Sequence, residues 1–368
     1  MHVLVTADTV GGVWTYTKEL VTGLAQRGVR VTLVSFGEIP KPGEIEWLVS
    51  MRSIDFYPTA FRLEWMQDAE RDLRLSSEYL LRIVSESKPD LLHLSQYAYG
   101  ALAVDIPKLV IAHSDVVSWW VAVHGREPER SAWIDSYRDT VERGLSEADT
   151  VVAPSRWMMN ALQAHYGKLK VTRVIYNGRN PVLFNPHCSK EELVLGAGRV
   201  WDPGKQVRML EAVNSPWPIV VAGPNESPDQ AAGQHASATK YGGIDIRGTQ
   251  TAVQLQQLYA RASMFVGTSR YEPFGLAPLE AAFSRCVLVL NDIPSFREIW
   301  GESACYFRAN DATELERTLI SLAEDRQLRL TYSNLAYRRA KSFYTANRMV
   351  DQYMQLYSTL ITEKVAAA

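Results

Sequence analysis

Cysteine is scarce in this sequence and metal-binding patterns are missing. Cys188, Cys286 and Cys305 are dispersed among 368 residues without CxxC spacing. Neither a disulfide framework nor a zinc knuckle is expected, and a reducing, cytoplasmic location is the simpler reading. None of the seven histidines stands in an HxH or HExxH pair and no two aspartates lie two apart, so no divalent-metal grip and no metal is expected. No apolar run reaches the length of a membrane span, and the opening MHVLVTAD reads as a strand rather than a leader. Peripheral contact with a membrane surface stays open. Net charge is also small: 39 basic and 41 acidic side chains leave −2, which gives no general attraction to nucleic acid. The Gly11-Gly12 turn is not GxGxxG, and the second strand ends Val34-Ser35-Phe36 without a ribose-binding acid, so a nicotinamide or flavin cofactor is disfavoured and none is expected.

What is present is a globular composition, 46% hydrophobic and 22% charged, over a length that fits two domains. Strands are expected at Val3 to Ala7, Val31 to Phe36, Asp90 to Leu94, Leu109 to Ala112, Thr150 to Ala153 and Val171 to Tyr176. A polar stretch, FNPHCSKE from Phe184 to Glu191, reads as a linker. The alternation then restarts at Leu193 to Gly196, Ile219 to Ala222, Ile244 to Arg247, Met264 to Gly267, Val287 to Leu290 and Cys305 to Phe307, each with a helical pattern after it. The expected fold is therefore α/β, two doubly wound Rossmann-like domains facing each other across a cleft. Their expected bounds are 1–185 and 186–344, with a last helix over 345–368 packing back on the first.

Ligands of such folds collect at loops after the strands, and three such loops carry chemistry. In SRYEPFGLAPLE, Ser269 to Glu280, Pro273 suits a helix start and Gly275 lets a ligand approach the main chain. The amides of Phe274, Gly275 and Leu276 would be unpaired donors for phosphate or sugar oxygens. Glu272 and Glu280 would accept bonds from hydroxyls, suggesting a sugar and a ribose; the plainer reading makes them a helix-start charge and a solvated face. In GAGRVWDPGKQ, Gly196 to Gln206, Arg199 and Lys205 place two cations where they could neutralise a departing diphosphate, or stand as ordinary surface charges. In AHSD, His113 and Asp115 follow a strand, and His113 could donate to a sugar or be a satisfied structural histidine. Gly11 and Gly12 let a ligand approach the backbone. Most first-half aromatics read as core, but Trp14 and Trp119 follow candidate ligand loops and are taken as acceptor-stacking candidates.

Together with ADTVVAPS at Ala148 to Ser155, YNG at Tyr176 to Gly178 and GGVWTYTKEL at Gly11 to Leu20, these motifs resemble the retaining glycosyltransferases of family 4, of GT-B architecture. The resemblance spans essentially the whole chain. It implies that Arg199 and Lys205 bind the diphosphate of a nucleotide sugar, a UDP-sugar such as UDP-glucose. Glu272 would contact the hexose hydroxyls, Glu280 the ribose, and the amides of Phe274 to Leu276 sugar and phosphate. His113 would touch the sugar near its reacting carbon, and Ile246-Arg247 would match the region that packs on the base. A small-molecule, glycan or lipid-linked acceptor is implied, but Pro40 to Arg74 matches no acceptor signature. A sugar-nucleotide epimerase and a non-catalytic nucleotide-sugar-binding module are the competing functions.

Overall fold

Runs such as Val3-Leu4-Val5 and Val287-Leu288-Val289 are apolar at every position, the pattern of strands buried on both faces by crossover helices. They are interior strands of two parallel sheets in the computed structural model of the chain, which describes residues 1–225 and 244–367. The chain divides into two units. The first comprises Met1–Val121, Arg126–Gly178 and the chain from Ala346 on, and the second Arg179–Thr345 together with the short stretch Ala122–Gly125 at the end of the helix that begins at Val116. The crossing thus falls after Gly178, ahead of the polar stretch read as a linker, because Arg179 already bonds within the second unit: its amide donates to the Tyr344 carbonyl at 3.1 Å.

In the first unit β1 (His2–Asp8), β2 (Arg30–Phe36), β3 (Ile54–Pro58), β4 (Leu91–Leu94), β5 (Lys108–Ile111), β6 (Thr150–Ala153) and β7 (Thr172–Val174) pair in parallel in the order β3-β2-β1-β4-β5-β6-β7. Its helices are α1 (Gly12–Gln26), the single turn α2 (Pro42–Ile45), α3 (Glu70–Ser87), α4 (Val116–His124), α5 (Ala132–Glu147) and α6 (Arg156–Tyr166). Strand β3 has no counterpart in the sequence reading. It is an edge strand, IDFYP, only half-buried along its length and closed by a proline, so neither an apolar run nor an alternation marks it.

The second unit repeats the plan with β8 (Glu191–Ala197), β9 (Ile219–Ala222), β10 (Ile244–Ile246), β11 (Ala262–Gly267), β12 (Val287–Asn291) and β13 (Cys305–Phe307), in the order β10-β9-β8-β11-β12-β13. Helices α7 (Ala252–Arg261), α8 (Leu276–Phe283), α9 (Pro294–Trp300), α10 (Ala312–Glu324) and α11 (Arg326–Phe343) complete it. After β8 the chain forms a 3-10 turn, Val207–Ala212, rather than the expected α-helix. In both sheets the order reverses at the first strand, between β1 and β4 and between β8 and β11, which is where doubly wound folds open a crevice at the carboxyl ends of their strands.

The last helix, α12 (Ala346–Ala367), belongs to the first unit. Met349, Val350, Tyr353, Leu356, Tyr357 and Leu360 face Leu20, Val21 and Leu24 of α1 in one buried cluster, and Asp351 bonds Arg27 at 2.6 Å. Among the described residues no helix is long and apolar enough to cross a membrane.

Candidate functional site

The reversal between β8 and β11 holds a small pocket. Gly196 and Ala197 end one strand and Gly267 the other, and Lys205, Thr268 and Glu272 close the space over them. Its free volume is about 20 Å³, room for a water or two. The lysine and the glutamate meet there: Lys205 Nζ lies 2.5 Å from Glu272 Oε2, which also accepts from Ser269 Oγ at 3.0 Å. Both side chains are largely enclosed, at 22% and 14% exposure, so the pair is held in a dry wall rather than waving in solvent. The Thr268 hydroxyl donates to the Lys205 carbonyl at 2.8 Å and locks the two loops together.

Helix α8 begins beside this pocket. Gly275 is its N-cap, at φ 90°, and a Cβ there would meet Glu272 Cγ at 3.2 Å, so glycine is required both by the backbone and by the close approach. Pro278 sits in the first turn and removes one unpaired donor, leaving the amides around Gly275, Leu276 and Ala277 as the helix-start group. One turn on, Glu280 is 7% exposed and pairs with Arg179, Nε to Oε1 2.8 Å. On the 3-10 side, Arg199 bonds Asp202 at 2.6 Å and stacks over Trp201 at 5.3 Å. Asp202 in turn accepts from the Gly204 amide at 2.8 Å, so Arg199 and Lys205 belong to one tight turn.

The carboxyl edge of the first sheet is built differently. Gly11 caps α1 without a side-chain partner, and both Gly11 and Gly12 are exposed. His113, after β5, packs edge-on against Tyr16 of α1 at 4.5 Å, with Ser95 Oγ 3.5 Å from its Nε2. Burial pushes its pKa down to about 3, so the ring is neutral. Behind it the buried His93 stands between two phenols, Tyr16 at 3.1 Å from Nε2 and Tyr357 of α12 at 2.7 Å from Nδ1, and burial lowers it to about 3 as well. Asp115 accepts from the Ser118 amide at 2.7 Å, Tyr166 at 2.7 Å and Tyr137 at 3.1 Å, which makes it the N-terminal anchor of α4.

Two family profiles cover most of the sequence. That of Glycosyltransferase Family 4 matches residues 10–182, and that of Glycosyl transferases group 1 matches residues 189–339. The chain belongs to the family 4 glycosyltransferases. It is 24% identical over 387 aligned residues to O-antigen chain mannosyltransferase C of Escherichia coli, 97% of this chain and 96% of that one. Its fold is that of sucrose-phosphate synthase from Thermosynechococcus elongatus, with TM-score 0.80 and 19% identity over 99% of this chain and 100% of the other. Anabaena HepE, in a complex with UDP and glucose, superposes with TM-score 0.73 and 15% identity over 98% of this chain and 100% of that one.

Within this family 4 glycosyltransferase the sequence-derived residues fall into groups. Lys205 and Glu272 meet in the pocket lining, to which α8 contributes Ala277 and Pro278, while Gly275, Leu276 and Arg199 stand next to lining residues in sequence or in the same turn without lining the pocket themselves. The helix expected from Pro273 begins instead at Leu276, because Pro273 lies in a loop that Phe274 anchors: its ring is buried and meets Tyr344 at 5.5 Å. Glu280 is no solvated face; it is buried against Arg179. Ile246 is 6% exposed in the core of the second unit, so its side chain is not offered to a base, and Arg247 pairs with Asp245 at 2.9 Å on the surface. Trp14 is half-buried against the core of the first unit, packing on Trp47 and Phe56, each at 6.1 Å. Trp119 stays half-buried on α4, edge-on to Trp120. Gly11, Gly12, His113, Trp14 and Trp119 all lie in the first unit. Arg179 was missed, although it directly follows YNG; a cation after an otherwise uncharged motif was the available signal.

Proposed function

We propose that the chain transfers a hexose from a nucleotide sugar to a small-molecule, glycan or lipid-linked acceptor with retention of configuration, in the cytoplasm and without a metal. The observation that carries this is the Lys205–Glu272 pair in the pocket at the reversal of the second sheet. A pocket of about 20 Å³ admits no sugar while that pair is closed. A donor supplies the anion for Lys205 and the hydroxyls for Glu272, so it opens the pair by replacing each partner with a better one. As the glycosidic bond breaks, charge grows on the diphosphate, and Lys205, with Arg199 in the same turn and the amides at the start of α8, stabilises it. That cationic group takes the place of a metal ion, and activity is expected to survive EDTA. Loss restored by magnesium or manganese would contradict this. Asp115 has both oxygens in hydrogen bonds and the neutral His113 sits against Tyr16, so neither stands ready as a base. The diphosphate then takes the acceptor proton on the face it leaves, and an α-linked donor gives an α-linked product. The anomeric coupling in the NMR spectrum of the product tests this; a β-linked product would contradict it.

UDP-glucose is the donor this reading favours, supported by the UDP and glucose in the HepE complex. The E. coli relative is a mannosyltransferase by name, which favours mannose as the second reading. Thermal-shift and turnover measurements over UDP-, GDP- and ADP-sugars separate the two. Epimerisation is tested by incubation with UDP-N-acetylglucosamine alone, where no epimer is expected. A non-catalytic module is tested by donor hydrolysis or transfer, which it would lack.

A further inference from the structure

Arg179 opens the second unit, and its place there is unusually well determined. Its amide donates to the Tyr344 carbonyl at 3.1 Å and it forms a parallel bridge with Thr345, while its guanidinium lies 5.5 Å over the ring of Phe184. From this seat it reaches Glu280 of α8 at 2.8 Å, with both side chains at about 10% exposure or below. Asn180 follows and caps a 3-10 turn, Pro181–Leu183, that carries the chain to Phe184. We propose that Arg179 is a positioning residue for donor recognition: its guanidinium keeps the Glu280 carboxylate ionised and aimed for the ribose hydroxyls of the nucleotide. This rests on the reading of Glu280 as the ribose partner.

The physical reason is the burial. An isolated carboxylate at 7% exposure is driven to take up a proton, and a protonated carboxyl is a poorer acceptor for two hydroxyls. With its backbone fixed by Tyr344 and Thr345 and its guanidinium lying over Phe184, Arg179 supplies the compensating charge from a restricted position. The ionisable groups near the pair include Tyr259 of α7, with Cys286 and Lys190 beyond it. Burial pushes the Tyr259 phenol and the Cys286 thiol up, away from neutral pH. Arg179 is the cation in direct contact with the Glu280 carboxylate.

Calorimetric titration with UDP and GDP, and with their 2′-deoxy counterparts, tests this without any acceptor. The wild-type chain is expected to prefer the ribonucleotide with an affinity flat from pH 5.5 to 8.5. Arg179→Gln is expected to lose affinity on the order of tenfold at pH 6, recovering as pH rises and Glu280 ionises, whereas Arg179→Lys keeps the flat profile. A flat profile at wild-type affinity in Arg179→Gln, with the ribose preference still lost in Glu280→Gln, would overturn the role of Arg179 alone. Full ribose preference in Glu280→Gln would overturn the reading beneath it. If Arg179→Gln does not fold, the neutral double variant Arg179→Gln/Glu280→Gln is compared with Glu280→Gln. Equal binding supports the positioning role, and a further tenfold loss overturns it.

Discussion

The carboxyl edges of the two sheets use different electrostatics on one topology. In the second unit, charge meets charge: Lys205 with Glu272, Arg179 with Glu280, Arg199 with Asp202. In the first, the corresponding edge is held by phenols, imidazoles and hydrogen-bonded carboxylates, with His93 between Tyr16 and Tyr357 and Asp115 accepting from Tyr137 and Tyr166. The difference teaches what each edge is able to do. Paired charges can be exchanged for the phosphates and hydroxyls of an incoming ligand, whereas a satisfied hydrogen-bond network fixes shape and gives up nothing on binding.

The largest effect is expected where the first unit has no slack. A Cβ on Gly144 of α5 would lie 1.8 Å from the Tyr97 carbonyl oxygen, a backbone atom that cannot turn aside. Gly144→Ala should destabilise the protein by about 3 kcal/mol or more, read as a large drop in Tm, while nucleotide affinity of the folded fraction is unchanged. Lys205→Ala should do the reverse. It is expected to cost about 2 to 4 kcal/mol in the transition state, a fall in kcat of about thirtyfold to a thousandfold, with a smaller drop in Tm than Gly144→Ala gives. Equal losses of stability in both variants would erase the contrast between the two edges.

That contrast was only partly legible in the residues. Apolar runs such as Thr150–Ala153 and Ile219–Ala222 marked strands to the residue because burial on both faces leaves no polar position to blur the ends. Edge strand β3 gave no such signal. Lys205 and Glu272 stood out as candidates because each follows a strand at the reversal, but their contact across 67 positions of sequence is a product of the fold. Trp14 shows the converse: its place after a glycine turn suggested a stacking surface, but the half-buried Trp47 and Phe56 that cover part of its ring come from the stretch with no readable pattern. Glu64 lay in that same stretch. It is buried and accepts from the Tyr97 and Ala98 amides at 2.8 and 2.7 Å, capping the turn that Gly144 abuts, and burial raises its pKa to about 7.

Glu64 and the histidines give a smaller, signed test of the first unit's edge. His93 and His113 protonate near 6.5 when unfolded and near 3 when folded, so acidification from pH 6.5 favours unfolding. Glu64 protonates near 7 when folded and about 4.3 when unfolded, so over the same window it favours folding. Two protons against one leave a net loss of about 1.4 kcal/mol per pH unit between pH 6.5 and 4.5. His2, also lowered by burial, adds to the loss. Denaturant titrations across this window should show the slope, nearly flattened in His93→Gln and steepened in Glu64→Gln. Unchanged slopes in both would mean that neither group is buried in the form described.

The most direct measurement of the donor site is calorimetry of nucleotide sugars on three proteins: wild type, Lys205→Ala/Glu272→Gln in the second unit, and His113→Ala in the first. The wild-type chain should bind one member of a UDP-, GDP- and ADP-sugar panel. The double variant should lose that binding by at least an order of magnitude, and His113→Ala should retain most of it. Undiminished binding in the double variant would contradict a donor site at the reversal of the second sheet.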